Sequence, residues 1–175
     1  MSFLAGRGID GATVLEIGGG VGEIQVELLR LGATRATNLE ISTKYEPEAA
    51  RLLERSGIQD RVERRLLDIA QRPDDIDRAD IVVLHRVVCC YPDYERLLST
   101  AGNKAGRLLV FSHPPRNIVT RTVLWCDNSR RRLTGDGFRT FAHSPAAMLA
   151  VLGQAGLRST YRWRGFGWSV VGLER

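Results

Sequence analysis

The chain predicts an α/β fold, a mainly parallel sheet with helices on both faces. Three observations carry this expectation. Apolar runs of strand type alternate with helical patterns along the whole chain, without repeats or low-complexity linkers. Val14–Gly22 (Val-Leu-Glu-Ile-Gly-Gly-Gly-Val-Gly) reads as a strand, a glycine turn and a helix start, the opening of a nucleotide-binding βαβ unit. The last two apolar runs flank Arg164-Gly165-Phe166-Gly167, as the arms of an antiparallel hairpin would. At 175 residues and 43% apolar content, one substantial core and a single domain over residues 1–175 are expected.

Each element has its own signal. After the first strand, Ile24, Leu28 and Leu31 mark a helix over about Gly22–Leu31, and Gly32 stops it. Ala36–Ile41 is the second strand. Glu46-Pro47-Glu48 opens the next helix, with proline in the first turn and acids at the positive end of the dipole, and Gly57 closes it. Val62–Leu67 is a third strand ending at Asp68. Ala79–Leu84 is a continuous apolar run, the pattern of a strand buried on both faces, followed by His85. A helix carrying Leu97 and Leu98 leads to a fifth strand, Arg107–Phe111. Pro114-Pro115 then prevents a direct helical continuation. Asn117–Leu133 reads as an additional helix ending in Arg130-Arg131-Arg132, Gly135-Asp136-Gly137 as a break, and Ser144-Pro145 as the start of a helix that stops near Gly156. His143 belongs to that helix start. Arg158–Trp163 and Trp168–Leu173 are the hairpin strands.

The bulk numbers narrow the function classes. No apolar run approaches the roughly 18 residues of a membrane span, and Met1–Gly11 has no secretory pattern. Cysteines number three, with Cys89 and Cys90 adjacent and poorly placed to pair or to share a metal, so reduced thiols in a cytoplasmic protein and no metal site are expected. The net charge of +5 comes from arginine, since Lys44 and Lys104 are the only lysines. Arg130–Arg132 with Arg162 and Arg164 could form a basic face, but the first cluster has no interleaved aromatic platform, which disfavours nucleic acid as a partner.

The glycine turn itself selects a ligand. Gly18, Gly20 and Gly22 form GxGxG, and Glu23 stands where a dinucleotide fingerprint has its third glycine. Carboxylates at Glu16 and Glu23 would repel a pyrophosphate and suit a cationic ammonium or sulfonium. This points to S-adenosylmethionine rather than NAD. Glu40, about 20 residues beyond the turn, stands where an acid accepts hydrogen bonds from ribose hydroxyls.

An acidic residue two positions before GxGxG resembles the first motif of class I S-adenosylmethionine-dependent methyltransferases. The likeness extends over roughly Ala12–Leu173. His85-Arg86-Val87-Val88-Cys89-Cys90-Tyr91-Pro92-Asp93 is similar to the segment after the fourth strand in the magnesium-protoporphyrin O-methyltransferase-like branch. The resemblance implies a Rossmann-like, mainly parallel seven-stranded sheet ending in the antiparallel hairpin, and S-adenosylmethionine as cofactor. Gly18, Gly19, Gly20 and Gly22 would admit its amino-acid moiety, Glu16 would hold the ammonium, and Glu40 with Ile41 the ribose region. Asp68 would meet the adenine amino group and the Ile69 amide the ring; turn capping is the other role open to Asp68. His85 would contact cofactor or acceptor and serve as the candidate base, with Tyr91 and His113 on the same rim. Loop bonding is the other reading of His85.

Methyl transfer to a small-molecule acceptor is the leading function. A cofactor-binding module without efficient catalysis and a nucleic-acid methyltransferase are the alternatives. The family carries helices before its first strand, whereas only Met1–Gly11 stand there here. A short or missing cover is therefore expected, with three outcomes: a longer parent chain, a second copy or partner chain over the cofactor site, or an open pocket.

Overall fold

The computed structural model describes residues 2–175. Seven strands form one sheet in the order β3-β2-β1-β4-β5-β7-β6. They are β1 (Thr13–Ile17), β2 (Arg35–Glu40), β3 (Val62–Leu66), β4 (Ala79–Leu84), β5 (Ala105–His113), β6 (Arg158–Arg164) and β7 (Ser169–Glu174). β1 to β5 pair in parallel, whereas β7 runs antiparallel to both β5 and β6. The chain order reverses between β1 and β4. In open α/β sheets this reversal leaves a crevice at the strands' carboxyl ends.

The alternation of strand side chains feeds two apolar layers. Leu15, Leu39, Val82, Leu84, Leu109, Phe111 and Val171 point to one face. There they meet helices α4 (Tyr94–Lys104) and α6 (Pro145–Gln154) through Leu97, Leu98, Met148 and Leu152. Val14, Ala36, Ile81 and Val83 point to the other face, beneath Val26, Leu28 and Leu29 of α2 (Glu23–Arg30) and Leu53 of α3 (Glu46–Ser56). Asp93 caps α4 by accepting the Arg96 amide at 3.1 Å.

Two regions are placed in ways the sequence pattern does not show. The short helix α1 (Ser2–Ala5) packs Phe3 against Gly172 and Tyr161, and Arg7 pairs with Glu174. These contacts lie toward the opposite end of the sheet from the β1–β5 carboxyl ends, so α1 does not cover the crevice. α5 (Ile118–Leu133), capped by Asn117, has the expected bounds but buries none of its residues. Ile118, Val119, Val123, Trp125 and Leu133 all stand exposed.

The fifth strand is longer than Arg107–Phe111. It takes in Ser112 and His113 because β7 continues the ladder there, through Ser112↔Val170 and His113↔Ser169. Among the described residues, no helix is long and apolar enough to cross a membrane.

Candidate cofactor site at the glycine turn

Gly18, Gly20 and Gly22 all adopt the left-handed backbone region, with φ of 63°, 55° and 96°. At two of these positions space adds to the requirement. A Cβ on Gly18 would lie 2.5 Å from Val87, and one on Gly22 would lie 2.2 Å from the Gln25 amide nitrogen. The turn therefore runs close over a polar layer that the sequence pattern does not reveal.

That layer follows from register. Glu16 of β1 pairs with Asn38 of β2, and Asn38 pairs with Arg64 of β3. The three side chains thus form one row across three parallel strands, beneath Gln25 of α2. Asn38 Nδ2 donates to Glu16 Oε2 at 3.5 Å. Arg64 Nη2 donates to the Gly20 carbonyl at 3.0 Å and to Glu46 Oε1 at 2.7 Å, tying β3 to the turn and to α3. Among the described residues, none bonds to the buried amide atoms of the Gln25 side chain, to Oδ1 of Asn38 or to Nη1 of Arg64.

Glu16 is 2% exposed. Burial pushes its carboxyl up to about 8, with Glu23 and Glu40 adding to the effect, while the Gln25 backbone and Arg64 oppose it. The motif alone suggests that Glu16 is a standing anion; the fold instead keeps it protonated at neutral pH, despite the Arg64 charge in the same row. The reason is desolvation, which disfavours the charged form of a buried carboxyl.

A cavity of about 200 Å³ opens over this layer. Glu16, Gly18, Gly19, Gly22, Glu23 and His85 line it. His85 thus reaches the glycine turn from the end of β4. Its Nδ1 lies 3.2 Å from Ser112 Oγ, which also accepts the Arg86 amide at 2.8 Å. Partial burial and the neighbouring Arg86 guanidinium hold the imidazole below the usual histidine range. Arg86 is the one described non-glycine residue with positive φ, at 59°, and its guanidinium lies 5.0 Å from the Trp168 ring centroid. Such a backbone costs about 1 kcal/mol or more, and the Ser112 bond helps to hold it.

The other expected residues lie farther along the same edge. Glu40 accepts three backbone amides: Gly20 on Oε2 at 3.0 Å, and Ile41 and Ser42 on Oε1 at 2.8 and 3.0 Å. Both oxygens are thus engaged before any ribose meets them. Ile41 is 68% exposed, an apolar side chain left open at the end of β2. Asp68 takes the capping role, accepting the Ala70 amide at 3.0 Å, Gln71 Nε2 at 3.0 Å and the Tyr91 hydroxyl at 2.8 Å. Burial and Asp68 push the Tyr91 phenol up to about 12. The Ile69 side chain is buried in the core.

His143 does more than precede a helix. Its Nε2 lies 3.1 Å from the Tyr91 carbonyl, and its ring packs against Tyr94 and Phe141, which docks this segment on the loop after β4. Cys89 is buried, Cys90 half-buried and Cys126 exposed, all three free thiols. In the arginine run, Arg130 and Arg131 pair with Asp127, and Arg131 also with Asp136. That leaves less free positive charge there than the sequence suggests.

Missed signals were polar residues in apolar contexts. Asn38 inside a buried strand and Gln25 on the inner face of α2 interrupt otherwise apolar patterns, and both point into the layer beneath the turn.

Comparison with known proteins bears on the family and the fold. Residues 15–103 match the methyltransferase domain family model. The ribosomal protein L11 methyltransferase of Aeromonas hydrophila is 30% identical over 112 residues, covering 64% of this chain and 37% of that protein. The chain thus spans little more than a third of the length of that curated relative. The structure of magnesium protoporphyrin IX methyltransferase from Synechocystis PCC 6803 with bound SAH superposes with a TM-score of 0.78 at 21% identity, covering 99% of this chain and 78% of that one. An O-methyltransferase family protein from Burkholderia thailandensis gives 0.78 at 16% identity, covering 99% and 54%. At these identities the two structures establish a shared fold.

Proposed function

Because the chain belongs to the class I S-adenosylmethionine-dependent methyltransferase family, we propose that it transfers a methyl group from S-adenosylmethionine to a small-molecule acceptor. One observation carries the ligand choice. The cavity at the glycine turn is lined by two carboxyl side chains, Glu16 and Glu23, where a pyrophosphate site would present only amides. The buried polar side chains of Gln25, Asn38 and Arg64 lie beneath it and back the glycine turn.

When bound, S-adenosylmethionine supplies a methyl group activated by its sulfonium. The chain's residues then align and shield. Glu16 loses its proton to meet the ammonium, and Gly18–Gly22 admit the amino-acid moiety to close backbone approach. Glu40 exchanges part of its amide bonding for ribose hydroxyls, with Ile41 offering an apolar surface beside them. Asp68 and the Ile69 amide stand toward the adenine. His85 faces the acceptor side. In-line displacement needs little more than such alignment, because effective molarities of well-oriented partners reach roughly 10⁵–10⁸ M.

The first expected result is selective binding. Calorimetry should show S-adenosylhomocysteine binding while NAD does not; comparable affinity for NAD would overturn the ligand choice. Release of S-adenosylhomocysteine in a screen of small acceptors then tests turnover. The L11 methyltransferase relative favours a second reading, with a protein acceptor. Turnover with a protein substrate and none with small molecules would decide for it. Cofactor binding without either turnover would decide for a binding module. A second copy or a partner chain over the crevice belongs to the same proposal, and sedimentation with and without S-adenosylhomocysteine tests it.

Glu40→Ala should weaken S-adenosylhomocysteine binding at least tenfold, since bonds to a charged group are worth about 1.5–3 kcal/mol each. It should also lower Tm, because the Gly20, Ile41 and Ser42 amides lose their acceptor. An unchanged dissociation constant with a lowered Tm would reduce Glu40 to a support of the turn.

A further inference from the structure

A second and larger cavity, of about 450 Å³, lies at the tips of β5, β6 and β7. Its polar lining has one sign. Arg116, Arg162 and Arg164 face it, and no aspartate or glutamate lines it. Among the described residues, none of these three guanidinium groups has a carboxylate within 4 Å. The row has a structural cause. Arg162 pairs with Val171 and Arg164 with Ser169, and these in turn pair with Phe111 and His113 of β5. The residues of this row alternate by two along each strand, so they share one face of the sheet. Phe111, Val171 and Leu149 of α6 give the cavity an apolar floor.

His113 reports the same field. Its ring is buried, and Nδ1 lies 2.9 Å from the Pro114 carbonyl, which can only accept. Nδ1 therefore carries the proton, and Nε2 is left bare. Burial holds the imidazole below the usual histidine range, the Pro114 bond opposes this, and the charges of Arg162 and Arg164 add to the lowering. A neutral imidazole and three unpaired guanidinium groups around an apolar floor match a ligand with an apolar body and one anionic end. Guanidinium binds carboxylate in bidentate fashion, which gives orientation as well as affinity.

We infer that this cavity binds a small organic carboxylate. The cavity is separate from the cofactor cavity: Ser112 contacts His85, which lines the latter, whereas the next residue, His113, faces the other side of the sheet and lines this one. Three unmatched charges set against an apolar floor also account for the presence of Arg162 and Arg164 on an edge strand without acidic partners.

The test uses benzoate as probe and benzamide as its neutral counterpart, followed by NMR of the Trp163 indole and the His113 ring. Benzoate should shift both signals and bind at least tenfold more tightly than benzamide. The double variant Arg162→Gln, Arg164→Gln should lose at least tenfold in benzoate affinity while S-adenosylhomocysteine binding stays unchanged. Gln keeps the side-chain stem on an exposed edge strand, and an unaltered amide spectrum elsewhere verifies the fold. Arg116→Gln, on the loop after β5, gives a second variant with the same expectation at smaller size. Equal binding of benzoate and benzamide, or arginine-independent binding, overturns the site. If benzoate binds as expected but S-adenosylhomocysteine does not bind at all, the anion site stands and the methyltransferase reading alone falls. If S-adenosylhomocysteine binds and benzoate does not, the inference alone is overturned.

Discussion

Glu16→Gln should make the protein more stable than the wild type above pH 8 and, in the same variant, weaken S-adenosylhomocysteine binding by one to two orders of magnitude. The first effect follows from linkage. The Glu16 carboxyl is raised from 4.5 to about 8 in the fold. Between those values the folded chain holds a proton that the unfolded chain has released, so stability is complete below about pH 4.5 and falls as pH rises toward 8. Each pH unit across this window removes about 1.4 kcal/mol, so the whole loss is roughly 5 kcal/mol. A glutamine amide cannot ionise, and this part of the pH dependence should vanish from Tm measured between pH 5 and 9. The second effect follows from charge, because an amide offers an ammonium much less than a carboxylate does. In the wild type, the proton must leave as the ammonium arrives. Affinity should therefore rise between pH 6 and 7.5, and calorimetry in buffers of different ionisation enthalpy should show close to one proton released near pH 7. Parallel Tm profiles for the two proteins, or binding without proton release, would refute the assignment of Glu16.

Much of this arrangement was legible in the sequence because it is local. Strand, glycine turn and helix follow one another within Val14–Gly22, and the positive φ values of Gly18, Gly20 and Gly22 are what that spacing leads one to expect. The seven strands and the terminal hairpin were likewise readable from apolar runs and glycine punctuation. What was not legible depends on register between distant segments. Glu16, Asn38 and Arg64 form a row only because β1, β2 and β3 pair as they do, and nothing in the separate strands announces the alignment. The protonation of Glu16 follows from that burial rather than from its motif. The cavity with Arg116, Arg162 and Arg164 draws on two segments more than 40 residues apart, and its floor on further elements. In the sequence, Arg162 and Arg164 looked like companions of Arg130–Arg132. The fold instead gives Arg130 and Arg131 acidic partners and turns Arg162 and Arg164 toward an apolar floor. Arg86 gave no local warning of its left-handed backbone, because the cause is Ser112, 26 residues away.

His85→Ala should lower turnover by about 10²–10⁴-fold with S-adenosylhomocysteine affinity nearly unchanged, once an acceptor is in hand. The expectation rests on the position of His85 on the wall of the cofactor cavity, at the end of β4. Acting as a base requires Nδ1 to carry the proton and donate it to Ser112 Oγ, so that Nε2 is free for the acceptor. Ser112 can accept both this bond and the Arg86 amide through its two lone pairs. The imidazole, held below the usual histidine range by partial burial and Arg86, is neutral at pH 7 and so ready to accept a proton. Activity should therefore be full at neutral pH and fall as pH drops through that lowered value, because protonation removes the base. In His85→Gln the residual activity should lose this acidic limb. Ser112→Ala separates positioning from chemistry. It releases both the imidazole and the strained Arg86 backbone, so kcat should fall less than in His85→Ala while the acidic limb persists. Full activity of His85→Ala would leave alignment of cofactor and acceptor as the main contribution to rate. A parallel loss of Tm and cofactor affinity in that variant would instead make His85 a support of the loop that carries Arg86.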